Sequence, residues 1–187
     1  MFSSPFRRRR QAQKIDALYG AIVAQARRPA FYVGYGVADT VTGRFEMLVL
    51  HLALVLRGLR DAPAAEQPLG QGLFDAFCRD MDGNLREMGV GDLTVPKKMR
   101  GFGEAFYGRA AAYDGALDSE DPAKLAGTLG RNVLGQAEHP GAARLAAYVR
   151  AAARALTANG ASVTQGQIAF PDPEAVQPAP QPAAAGH

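Results

Sequence analysis

Thr40-Val41-Thr42-Gly43-Arg44-Phe45-Glu46-Met47-Leu48-Val49-Leu50-His51-Leu52-Ala53-Leu54-Val55-Leu56-Arg57-Gly58-Leu59-Arg60 reads as a helix with almost no polar face. Phe45, Leu48, Leu52, Val55 and Leu59 recur at helical spacing and form one stripe. Met47, Leu50, Leu54 and Leu56 cover most of the remaining circumference. A helix that is apolar nearly all round has to be enclosed by others, so this one is expected at the centre of the fold. Asp39 and Thr40 stand just ahead of it, and either side-chain oxygen can accept from the free N–H groups of the first turn.

The flanking sequence supplies the helices that would enclose it. A first helix is expected over Lys14–Arg28, where Ile15, Leu18, Ile22 and Val23 recur at helical spacing and Pro29 stops the run. The aromatic stretch Ala30–Val37 holds two glycines and reads as irregular. After a linker over 61–68, a helix over Leu69–Met88 presents Leu73, Phe77, Met81, Leu85 and Met88 to the core, with Gly89 as its stop. Asp75, Arg79, Asp82 and Arg86 share another face of that helix. A helix from Pro96 to Leu117 carries Met99, Phe102, Phe106, Ala110 and Tyr113. Asp121-Pro122 opens another that ends near Leu134, and the last spans Gly141–Ala158.

The expected fold is therefore all-α, a compact single-domain bundle of five to six helices. Residues 12–159 form the domain, residues 1–11 a disordered basic arm, and residues 160–187 a Pro/Ala-rich disordered tail. A chain of 187 residues, 48% hydrophobic and 21% charged, suits one globular domain.

Charge is uneven. Residues 1–60 hold ten Lys/Arg and three acids, a balance of +7, which leaves −4 for the rest of a chain whose net charge is +3. A basic front attracts anionic lipid or RNA. Arg7 to Arg10 are followed by Gln11-Ala12-Gln13-Lys14 and not by an apolar run, so no secretory signal is expected. The greasiest stretch, Met47–Leu56, reaches half of the ~20 residues that a membrane span needs. The chain is expected on the cytoplasmic side, soluble or peripheral on the inner membrane.

Little in the sequence points to catalysis. The single cysteine, Cys78, excludes an internal disulfide and sits in an apolar stretch as a small hydrophobe. His51 lies among leucines as a hydrogen-bonded core residue, far in sequence from His139 and His187, so no bis-histidine haem or zinc site is expected. Asp80 and Asp82 stand two apart on a helix and do not share a face. Gly34-Tyr35-Gly36 and Gly101-Phe102-Gly103 lack the Lys-Ser/Thr pair of a phosphate loop. No catalytic residue, cofactor or metal is expected, and the protein is not read as an enzyme.

Two blocks go beyond generic helix grammar. One is Gly36-Val37-Ala38-Asp39-Thr40-Val41-Thr42-Gly43-Arg44-Phe45-Glu46-Met47-Leu48, with His51 and Leu54-Val55-Leu56-Arg57. The other runs from Phe74-Asp75-Ala76-Phe77 through Asp80–Leu93, Val95-Pro96-Lys97-Lys98-Met99 and Glu104–Arg109 to Tyr113. Over residues 14–135 they resemble the signature of the ubiquinol–cytochrome c chaperone family. The resemblance implies a helical chaperone that binds newly made cytochrome b and escorts it into respiratory complex III. Mitochondrial members of the family work near the ribosomal tunnel exit. No mitochondrial targeting extension is visible, so the chain reads as bacterial and that ribosome is not carried over. The resemblance leaves room for a second chaperone subunit and gives no reason to expect DNA. The competing reading is an adaptor for the ribosome, RNA or an anionic membrane surface, working through the basic arm.

The partner-binding candidates are Arg44, Lys97, Lys98, Met99, Phe106, Tyr107, Arg109 and Tyr113, with Met81 and Met88 beside them. Aromatics, Met and Arg are enriched where helices hold a partner. Lys97, Lys98 and Arg100 crowd the start of a helix, where the dipole disfavours cations. Most of the candidates are expected inside the core, and a minority in a groove for an apolar segment of cytochrome b.

Overall fold

The computed structural model describes residues 5–60, 62–63 and 66–176. These residues form six long helices: α1 (Pro5–Ala26), α3 (Val41–Gly58), α4 (Gln67–Glu87), α5 (Val95–Leu117), α6 (Pro122–Val133) and α7 (Ala142–Ala158). Two short ones, α2 (Pro29–Gly34) and α8 (Gly160–Thr164), bring the total among the described residues to eight.

The greasy helix is the axis. α1, α4, α5, α6 and α7 all pack on α3. Met47, Val49, Leu50, His51, Leu52 and Val55 have no exposed surface, and together they leave α3 no solvent face over its middle turns. Each such aliphatic side chain contributes on the order of 2 kcal/mol of burial. Local chemistry sets the ends. The Thr40 hydroxyl accepts from the Gly43 amide at 3.1 Å, and the Asp121 carboxylate accepts from the Ala123 amide at 2.9 Å to open α6. Gly89 follows α4 at φ +77°, the left-handed conformation that closes a helix and that glycine adopts without strain. On the outer face of α4, Arg86 pairs with Asp82 at 2.7 Å.

Both ends of the domain depart from expectation. Helix α1 begins at Pro5 and not at Lys14, so residues 5–11 of the expected disordered arm are helical; residues 1–4 lie outside the described residues. Arginine is a strong helix former and proline is tolerated in a first turn, so charge alone does not melt the segment. The aromatic stretch after Pro29 is also helical as α2, because Phe31 buries against Tyr148 and His51.

Of the expected disordered tail, residues 160–176 are ordered and 177–187 lie outside the described residues. After α8, residues 167–176 carry no helix, turn once at 173–175, and form a strap bonded to side chains of α1, α7 and the end of α2. Ile168, Phe170 and Val176 pack on the core. Gln25 donates to the Pro171 carbonyl at 3.2 Å, Tyr35 to the Pro173 carbonyl at 2.5 Å, and Arg144 to the Val176 carbonyl at 3.3 Å. Arg28 pairs with Asp172 at 3.0 Å. Prolines stop a helix here, but their carbonyls remain acceptors.

Candidate functional site

α1 ends at Ala26, and the chain then turns away into α2. The end of α1, the start of α3, the end of α4 and one turn of α5 converge there. The result is an open groove of about 620 Å³. Val23 and Ala26 of α1, Phe45 and Leu48 of α3, Met81 and Leu85 of α4, and Phe102 of α5 line it. Leu48, Met81 and Leu85 are buried and form the floor. Phe45 and Phe102 meet at 5.1 Å between ring centroids on one wall. Val41 and Met88 stand on the rim, 76% and 62% exposed, and carry the apolar surface of the floor out to solvent.

The rim is charged with both signs. Arg27 and Arg44 flank the α1–α3 side, and Asp80 and Glu87 the α4 side. Arg44 pairs with Asp39 at 2.7 Å, and that bond holds the exposed Asp39 carboxyl below its ordinary range. Asp80 accepts from the Tyr19 hydroxyl at 2.7 Å. Burial, reinforced by that bond to Asp80, pushes the Tyr19 phenol far up, so it stays a donor and fixes the carboxylate. Deeper down, the Arg109 guanidinium bonds both oxygens of the buried Glu46 carboxylate. Burial pushes the Glu46 carboxyl up, against the pull of the guanidinium bonded to it.

The residues singled out from sequence are scattered by the fold. Arg44 lies on the groove, as do Met81 and Met88. Lys97 and Lys98 are exposed on the first turn of α5, and Met99 is half-buried against the core. Phe106 and Tyr113 are core residues and offer no surface to a partner. Their spacing of seven puts them on the α5 stripe that faces α3 and α4. Tyr107 is 62% exposed, with its ring 5.3 Å from that of Phe74. Arg109 is committed to Glu46. Val23, Arg27, Val41, Leu48 and Leu85 line the groove and are not among the partner-binding candidates. Apolar spacing marks Val23, Leu48 and Leu85 only as helix faces, and nothing local says which faces meet.

His51 shows how a polar group is satisfied inside the core. Its Nδ1 lies 2.8 Å from the Met47 carbonyl, so Nδ1 carries the proton. Its Nε2 accepts from the Tyr148 hydroxyl at 2.8 Å, which in turn accepts from Gln25 at 2.9 Å. Burial lowers the pKa of His51 from 6.5 to about 4, so the ring is neutral at physiological pH. Among the described residues no group of three or more His, Cys, Asp and Glu side chains is placed to hold a metal ion. No helix among them is long and apolar enough to cross a membrane.

The fold and the groove define an all-helical protein whose distinctive surface is an open apolar trough with a charged rim. The chain belongs to the ubiquinol–cytochrome c chaperone family, whose model matches residues 34–170. The match takes in both signature blocks and extends to Phe170 in the strap. The chain is also similar to the Cbp3 homolog from Brucella abortus, known from its crystal structure. The two share 39% identity over 92% of this chain and 97% of that one, with a TM-score of 0.83. No curated protein matches the chain.

Proposed function

We propose that this chain is an assembly chaperone for ubiquinol–cytochrome c reductase, and that the groove between α1, α3, α4 and α5 holds an apolar segment of newly made cytochrome b. The observation that carries the reading is the groove itself, an apolar trough with methionines on its floor and rim, in a chain of this family. An unfinished membrane subunit presents apolar helices with no fixed partner. Methionine side chains adapt to irregular surfaces of that kind. The mixed-charge rim gives such a segment a preferred direction without closing the groove.

The test uses Val41→Asp and Met88→Asp together, since both residues are exposed and their loss leaves no cavity. Co-purification with cytochrome b should be lost, and assembled complex III and the cytochrome b spectrum should fall in the native host. The stability of the isolated variant should change by less than about 0.5 kcal/mol. Full client capture by this variant would remove the groove from the proposal. Normal complex III in a deletion strain would remove the function itself.

A further inference from the structure

The first turns of α1 have no role in the core or in the groove. Phe6 is 82% exposed, and Arg8, Arg9 and Arg10 are exposed as well. None of these three arginines pairs with a carboxylate among the described residues. Arg10 lines a shallow cleft with Gln165 and Gly166, Lys14 donates to the Thr164 carbonyl at 2.6 Å, and Ile15 packs on the core, so the two turns before Arg10 stand clear of the domain. The helix therefore projects as a cationic spur. Its first turn holds no acidic residue. Cations crowded at the positive end of a helix dipole repel one another and the dipole, and an external anion relieves both.

We infer that this spur docks the protein on an anionic lipid surface. Arg9 and Arg10 follow Phe6 by three and four residues, so an apolar tip and two guanidinium groups share one face. That is the pattern of an interfacial anchor, in which the ring enters the headgroup boundary while the cations meet phosphates. Nucleic acid is less well matched. Binding a single strand calls for successive stacking rings along its path, and the spur carries one ring among its described side chains. From Arg8 to Val23 the helix rises roughly 22 Å, so lipid docking and the groove use separate residues. The inference does not rest on the identity of the client.

The full chain should co-sediment with phosphatidylcholine vesicles containing about 30% phosphatidylglycerol, not with phosphatidylcholine alone, and binding should weaken as salt rises. The quadruple change R7Q/R8Q/R9Q/R10Q should lower that binding by at least about tenfold, with an unchanged thermal midpoint. Phe6→Ser should weaken it several-fold, and its effect should persist at salt high enough to screen the arginines. Equal sedimentation with both vesicle types overturns the inference. So does a quadruple variant that binds like the parent, or a chain that binds single-stranded RNA and ignores vesicles.

Discussion

The two flanks of α3 are finished in opposite ways. On the flank that carries His51, the chain covers its own apolar surface: Phe31 and Tyr148 pack at the sides, and Phe170 of the strap meets the histidine ring at 5.3 Å between centroids. Both ring nitrogens have partners there. On the flank that carries Phe45 and Leu48, no element of the described chain completes the cover, and Val41 and Met88 end in solvent. One helix of nearly uniform greasiness is thus sealed on one side and open on the other. Apolar composition alone does not distinguish a core from a binding face; the distinction lies in which neighbours arrive. The closed flank should be sensitive to substitution in stability. The open flank should be sensitive only in function, except where its floor is anchored by charge.

The largest expected effect tests that exception. Arg109→Ala leaves the buried Glu46 carboxylate without its partner, and urea unfolding should show a loss of about 3 kcal/mol. Adding Glu46→Gln should recover part of it. A loss near zero would show that the floor is as tolerant as the rim. Next comes Phe170→Ala in the strap, which strips a half-buried ring from His51 and should cost about 2 kcal/mol in the same measurement. If the strap is dispensable, the contrast between the flanks disappears.

A third test is a pH dependence confined to the closed flank. The folded pKa of His51 is depressed to about 4 from 6.5, so the unfolded chain takes up the proton first. The stability held by the neutral ring is complete above the unfolded value and is lost as pH falls toward the folded one. Between about pH 7 and about pH 5 the parent should lose roughly 2 kcal/mol more than His51→Gln, measured by urea unfolding at both pH values. Identical slopes would mean that the ring is hydrated and that the flank is not closed. The paired change at Val41 and Met88 completes the series with the smallest expected change in stability.

Local physics was legible in the residues themselves. The six long helices follow from apolar periodicity. Thr40, Asp121 and Gly89 mark ends because capping bonds and left-handed turns depend only on near neighbours. The central place of α3 follows from its lack of a polar face. Membership of the family was carried by the two signature blocks. The candidate site was less legible: Arg44, Met81 and Met88 reach the groove, while Phe106 and Tyr113 have the same aromatic character and lie in the core.

Tertiary structure alone decided the rest. The groove draws Val23, Phe45, Met81 and Phe102 from four helices, and no sequence period relates positions so far apart. The strap looked unable to fold because prolines make no helix. It is held by side chains from elsewhere in the chain, including Gln25, Tyr35 and Arg144, that bond its carbonyls. Helical spacing tells each segment which of its faces is greasy; only the packing of distant segments settles whether that face is buried by the chain or left for another molecule.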